Sequence, residues 1–360
     1  MLRVREGLES RSIGAALITP GPDLAYLTGY EAVPLERLTC LVLQPHFEPI
    51  LVVPLLEEAA ARVSPFGAHG LPIITWSEVD DPFSIVASHL NGPSVVAVDD
   101  HMWASKVLSF RSVLRGVDQV LAGTVISPLR MRKSDYEIDC LREAAAAIDR
   151  VHALVPAMLR IGRTEREVGQ EIARAIISEG HIRVDFTIVA SGPNGASPHH
   201  EVSDRVLTAG DPIVVDIGGT MPSGYRSDCT RTYVLGSASP EYREHYDALL
   251  EAQIAGVKSV RPGVPCEEID RVPRALLDAH GIGKYFIHRT GHGIGLETHE
   301  DPYMVEGNDM VLEAGMAFSV EPGFYIPNQF GARIEDIVVC GTDGPIVLNH
   351  QPRELIQVEV

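Results

Sequence analysis

A two-domain α/β protein is predicted from three observations. The chain has 360 residues, more than one ordinary hydrophobic core organises. Residues 12 to 125 alternate short β-rich apolar runs with helical stretches, and the remainder opens with capped helices before turning to strands. A boundary near residue 126 follows, giving a smaller α/β domain over 1–126 and a larger mixed domain over 127–360.

Met1 to Ser10 carries Arg3, Arg5, Glu6 and Glu9 with no continuous apolar core, so an amphipathic helix is expected there and not a signal peptide. Strands are predicted at Ala15–Thr19, Thr39–Leu43, Ile50–Val53, Ile73–Trp76 and Val95–Asp99, with helices over Leu55–Val63 and His101–Leu114 between them. Beyond Ser127-Pro128 the character changes. Ser134 with Glu137 forms a capping box ahead of Ile138, Leu141, Ala145, Ile148 and His152. Thr164 with Glu167 forms another, whose helix stops at Gly180, and Ser239-Pro240 opens a third helix. Pro212–Gly218 and Arg231–Leu235 are expected to pair as a hairpin. Ala317–Val320 and Ile334–Val339 are expected to be two further antiparallel strands.

Composition excludes several classes of function. A formal charge of −19 without a basic run repels phosphate backbones, so no nucleic-acid partner is expected. No apolar run is long enough to span a bilayer, so no membrane role is expected either, and a cytoplasmic location is anticipated. Five scattered cysteines, never in a Cys-x-x-Cys pair, argue against a disulfide framework or zinc ribbon.

Chemistry concentrates in the second half. His288, His292 and His299 fall in one run with Gly291, Gly293 and Gly295, where the most versatile biological ligand sits beside unencumbered backbone. Asp216 and Asp228 stand on the two arms of the predicted hairpin, each in a β-rich apolar setting that penalises a lone charge. Taken alone, this pair reads equally well as one salt-bridged and one solvated carboxylate. Glu321, after Phe318-Ser319-Val320, and Glu335, in Arg333-Ile334-Glu335-Asp336, repeat the pattern. Four carboxylates drawn together repel one another, whereas two divalent cations balance their charge and activate a water. An oxygen-rich set with one imidazole favours manganese, with cobalt or zinc as substitutes.

In that order and in those local words, Asp216, Asp228, His292, Glu321 and Glu335 resemble the five-ligand dimetal set of the creatinase, aminopeptidase P, prolidase and methionine aminopeptidase superfamily. The resemblance covers nearly the whole chain. It implies a pita-bread catalytic domain over 127–360 and, through Asp23-Leu24-Ala25-Tyr26-Leu27-Thr28-Gly29-Tyr30, a creatinase-like N-terminal domain over 1–126. Methionine aminopeptidases generally lack that extra domain, so the branch that cleaves Xaa-Pro bonds is favoured. The resemblance further implies that Asp216 holds one metal, Asp228 and Glu335 bridge both, and His292 and Glu321 hold the other, with Glu321 also moving protons. His299 would stabilise the tetrahedral intermediate, His288 and His199 would face the substrate, and Tyr325 and Arg333 would orient the ligands. A homodimer acting on Xaa-Pro peptides completes what is implied.

An Xaa-Pro dipeptidase is therefore expected, with an Xaa-Pro aminopeptidase acting on longer peptides as the alternative. A non-catalytic binding module and a metal-free creatinase-type hydrolase are disfavoured because all five ligand positions are filled. Two departures from the family pattern stand out. The interval from Asp216 to Asp228 is one residue longer than usual, which calls for a bulge or a longer turn. Tyr303 occupies the place where several prolidases carry an arginine for the dipeptide carboxylate, which weakens the case for strict dipeptide preference: either Tyr303 or a basic residue elsewhere serves instead, or the enzyme accepts longer peptides.

Overall fold

The computed structural model describes all residues, Met1–Val360. Two compact units emerge, Met1–Arg130 and Met131–Val360.

In the first unit, helix α1 (Leu2–Ser10) buries Val4 and Leu8 and leads into β1 (Ala15–Ile18). There follow α2 (Pro22–Thr28), β2 (Cys40–Leu43), β3 (Ile50–Pro54), α3 (Glu58–Val63), α4 (Pro65–Ala68) and β4 (Ile73–Trp76). The unit closes with α5 (Pro82–Ser88), β5 (Val95–Val98), α6 (Ala104–Val113), β6 (Asp118–Leu121) and α7 (Gly123–Met131), in which the expected boundary near 126 falls. One six-stranded sheet runs β4-β3-β2-β1-β5-β6, mixed in direction because β2 joins β1 and β3 antiparallel while the other neighbours run parallel. Its central strands β1 and β2 are buried throughout, which accounts for their unbroken apolar runs. The stretch expected as one helix over Leu55–Val63 begins as a 3-10 turn, Leu55–Glu57, before α3.

The second unit opens with α8 (Asp135–Met158) and α9 (Glu165–Ser178), and both predicted capping boxes are made: Glu137 accepts from the Ser134 backbone at 2.8 Å and Glu167 from that of Thr164 at 2.9 Å. Strands β7 (Arg183–Ser191), β8 (Pro212–Thr220) and β9 (Arg226–Leu235) form an antiparallel meander, ahead of α10 (Pro240–Ser259) and α11 (Cys266–Ala279). Ser239 caps α10 through the Tyr242 amide at 3.2 Å, with Pro240 at its first position.

Short strands complete the unit: β10 (Gly291–Gly293), β11 (Glu300–Met304), β12 (Ala317–Val320), β13 (Gly323–Ile326), β14 (Phe330–Arg333), β15 (Asp336–Cys340), β16 (Pro345–Val347) and β17 (Ile356–Val358). They assemble as a four-stranded sheet β17-β9-β8-β7, a five-stranded sheet β11-β10-β12-β15-β16 and the hairpin β13-β14. The strand expected from Ile334 starts at Asp336, because Glu335 turns away to bond its amide to the Thr230 carbonyl at 3.2 Å. All five cysteines are buried free thiols. No helix is long and apolar enough to cross a membrane.

Candidate active site

The β8–β9 hairpin positions the two aspartates. Its pairing runs in one uninterrupted register from Pro212↔Val234 to Thr220↔Arg226, so the extra residue between Asp216 and Asp228 is absorbed by the turn and not by a bulge. Gly224, at φ 82°, permits that turn. Asp216 pairs with Thr230 and Asp228 with Gly218, two positions along, so both carboxylates and the Thr230 hydroxyl project from one face.

β10 brings His292 to the same place. Its narrow backbone explains the glycines: a Cβ on Gly291 would drive into the carbonyl of Ser319 on the neighbouring chain segment. Ser319 at the same time donates to Glu321 Oε1 at 3.0 Å and accepts from the His292 amide at 3.0 Å, so one hydroxyl sets the spacing of two site residues. His292 Nδ1 lies 3.0 Å from the Gly293 carbonyl, so it carries the proton, leaving the Nε2 lone pair 3.2 Å from Glu321 Oε1 and 3.6 Å from Asp228 Oδ2. A lone pair aimed at two carboxylates is repulsive unless a cation lies between them.

Three further observations bear on the same need. Ligand atoms of Asp228, His292 and Glu335 all fall within 4.8 Å of one another. Asp216 Oδ1 and Glu335 Oε1 are buried without any hydrogen-bond partner. Protonation is favoured at Asp228 and Glu335, both held well above the ordinary carboxyl range by burial and then by the other acids, and Asp216 is raised by burial despite Arg333. Glu321 goes the other way: burial opposes its charge, but the adjacent His292 and His288 rings and the Arg333 guanidinium hold it at about 2. The residues present thus fit a pair of divalent cations, which would satisfy the orphan oxygens and balance the acids.

Arg333 is the one guanidinium buried among these acids. It donates to Asp216, to Tyr325 Oη at 2.7 Å and to Thr230 Oγ1 at 3.0 Å, while Thr230 donates to Glu335 Oε2 at 2.7 Å. Tyr325 and Arg333 come together because they lie diagonally across the β13–β14 hairpin. The Tyr325 hydroxyl, accepting from Arg333, meets His288 Nε2 at 2.9 Å, and His288 Nδ1 meets the Arg289 carbonyl at 2.7 Å. Both ring nitrogens of His288 are therefore engaged within the protein, and the ring itself is what it offers to the cavity.

A cavity of about 890 Å³ lies above, lined by Asp216, Asp228, His292, Glu321 and Glu335 and by His199, His288, Arg289 and His299. His199 is exposed on its wall. The His299 ring stands edge to face against His292, 4.1 Å between centroids, and burial together with His292 holds it neutral, at about 4. Tyr325 stands behind the lining, and Tyr303 pairs with His292 across β10 and β11. The five predicted ligands and three predicted histidines thus surround one space.

Other contributors were not foreseen. Glu165, which follows a helix cap, is instead a hub: it accepts from Ser191, Asn194, Ser203 and the His200 ring, fixing the segment that bears His199. Asp270 and Arg274 of α11 brace the approach to β10 through the Thr290 amide at 2.8 Å and the His288 carbonyl at 2.8 Å. Their spacing of four on a helix was the available signal. Arg231 is a buried structural cation on Asp336 at 2.7 Å.

Fold and site together define a metal-dependent hydrolase. The chain belongs to metallopeptidase family M24, whose model matches residues 139–342, and residues 1–132 match the creatinase/prolidase N-terminal domain. It is 51% identical over 349 residues to a probable dipeptidase PepE of Mycobacterium tuberculosis, across 97% of this chain and 93% of that one. Among solved structures it superposes on dipeptidase PepE of Mycobacterium ulcerans with a TM-score of 0.96 and 49% identity, covering 100% of this chain and 97% of that one. The prolidase of Thermococcus sibiricus gives 0.92 and 35%, covering 99% and 97%. The mixed α/β fold read from the sequence, with its creatinase-like and metallopeptidase parts, agrees with these relatives. The family implies divalent metals and peptide substrates.

Proposed function

We propose that the protein hydrolyses the bond between an N-terminal residue and a following proline, with dipeptides as the preferred substrates. The reading is carried by the convergence of Asp216, Asp228, His292, Glu321 and Glu335 at the base of one cavity of about 890 Å³, roomy enough for a small peptide. The relatives named dipeptidase and prolidase support it. Proline needs such an enzyme because its tertiary amide lacks the N–H on which ordinary peptidases rely.

Asp216, Asp228 and Glu335, with His292 and Glu321, would hold two divalent cations, which when bound lower the pKa of a water and polarise the scissile carbonyl. The remaining chemistry belongs to the chain. Glu321, ionised, accepts the proton of the attacking water and passes it to the proline nitrogen as the C–N bond breaks. His299, held neutral, donates a hydrogen bond to the carbonyl oxygen as charge develops there. His199 borders the peptide, and the ring of His288, tied to Tyr325, shapes the wall beside it. Arg333 keeps Asp216 and, through Thr230, Glu335 in place.

Manganese is the metal this oxygen-rich set favours, with cobalt or zinc as substitutes. A homodimer, by family resemblance, and a cytoplasmic location, from the composition of the chain, accompany the reading. The test is hydrolysis by manganese-reconstituted enzyme of matched Xaa-Pro, Xaa-Pro-Yaa and Xaa-Ala peptides. Faster cleavage of the tripeptide would make it an Xaa-Pro aminopeptidase, and equal rates without proline would end the proline assignment.

A further inference from the structure

The cavity contains one cation with nothing to do. Of its lining residues only Arg289 and Arg333 carry a fixed positive charge. Arg333 is fully committed to Asp216, Tyr325, Thr230 and the Pro198 carbonyl. The Arg289 guanidinium, half-buried, donates no hydrogen bond and meets no carboxylate, although Asp185, Glu201, Asp216, Asp228, Glu321 and Glu335 line the same space.

What restrains it is Tyr303. The guanidinium lies 4.3 Å from the centroid of that ring, a cation–π contact that holds it in place while leaving its N–H donors uncommitted. Tyr303 is the direct cross-strand partner of His292, so the ring, and the guanidinium upon it, sit on the His292 side of the sheet. An uncommitted, pre-oriented guanidinium is the group best matched to a carboxylate, which it grips through two parallel N–H donors.

A dipeptide ending in proline presents such a carboxylate one Cα from the scissile nitrogen, so its anchor must stand beside the reacting centre. We propose that Arg289, held on the Tyr303 ring, binds the free α-carboxylate of the substrate and thereby makes dipeptides preferred over longer peptides. This rests on the Xaa-Pro hydrolase reading above, and it gives the role left open at Tyr303 to Arg289, with Tyr303 as its platform.

The experiment compares wild type, Arg289→Lys and Arg289→Ala, each manganese-reconstituted, on Ala-Pro and on Ala-Pro-amide, which differ only in the carboxylate. Wild type favours the acid. In Arg289→Ala the acid-to-amide ratio of kcat/KM falls by about tenfold to hundredfold, mainly through KM for the acid, and Arg289→Lys recovers part of it. Loss of both substrates in equal proportion overturns the proposal, since a merely structural arginine would not distinguish them. A second arm measures binding of the same two peptides to metal-free protein by calorimetry, where wild type prefers the acid and Arg289→Ala does not. A wild type that cleaves neither peptide, yet binds the acid through Arg289, sinks the hydrolase reading while keeping this site. Absence of any preference for the acid in both arms sinks the site.

Discussion

Arg333 and Asp216 form a buried ion pair, with side-chain exposures of 3% and 11%, in which one guanidinium edge serves the aspartate while the others reach Tyr325 and Thr230. A lysine can replace the charge but not this fork. Arg333→Lys is therefore expected to weaken metal affinity or kcat by about 10-fold to 100-fold, as loss of an orienting partner typically does. Arg333→Ala leaves the acids uncompensated, and the metal-free protein should lose about 3–5 kcal/mol of stability. Metal titration and urea unfolding of both variants check this. Wild-type behaviour of the lysine variant would show that charge alone suffices.

Asp228 and Glu335 favour their protonated forms in the absence of metal, because burial and mutual repulsion penalise their charges. Cations bind only the ionised carboxylates, so metal binding must expel protons and weaken as pH falls. Titrating manganese into chelator-treated protein near pH 6.5, in buffers of different ionisation enthalpy, is expected to show net proton release. Asp228→Asn should reduce it. Proton uptake, or an affinity that rises on acidification, would contradict this arrangement of buried acids.

Features of the fold that depend on neighbours in the chain could be read from the residues, and those that depend on distant partners could not. The capping boxes at Ser134 and Thr164 are local hydrogen bonds, and the β8–β9 hairpin follows from its turn and its apolar arms. By contrast β6 is an edge strand whose Val120 and Leu121 are exposed, so it carries no burial pattern to detect. Helix α11 was hidden by Pro273 in its interior, and β10 is only three residues long, held by β11 and β12. The same division applies at the site. Asp216, Asp228, His292, Glu321 and Glu335 stand in recognisable words, whereas the bracing by Ser319, Glu165 and Asp270 joins residues far apart in sequence. No spacing reveals that Arg289 lies over Tyr303.

Gly291→Ala tests the close approach of β10 to β12. The new methyl would meet the backbone carbonyl of Ser319, which cannot swing aside as a long side chain could. Overpacking of this kind costs about 1–3 kcal/mol. Because the strand also carries His292, and Ser319 sets the position of Glu321, metal affinity should fall together with stability. A variant with wild-type unfolding midpoint and manganese affinity would show that the strands have room to part.

His152 links stability to pH away from the cavity. Its ring is fully enclosed, with Nδ1 2.9 Å from the Tyr233 hydroxyl and Nε2 3.0 Å from the Cys229 carbonyl. Burial first, and the nearby Arg231 second, push its pKa down from 6.5 to about 3. The folded protein therefore keeps this histidine neutral, while the unfolded chain takes up a proton below its ordinary value. The sign follows: its contribution is fully present above the unfolded pKa and is lost progressively as pH falls from 6.5 towards 3, at up to about 1.4 kcal/mol per pH unit. Urea unfolding of chelator-treated protein near pH 8 and near pH 5 measures it. On acidification wild type should lose about 2 kcal/mol more than His152→Gln, whose side chain does not titrate. Equal losses in the two proteins would mean that the folded state protonates His152 as readily as the unfolded chain does.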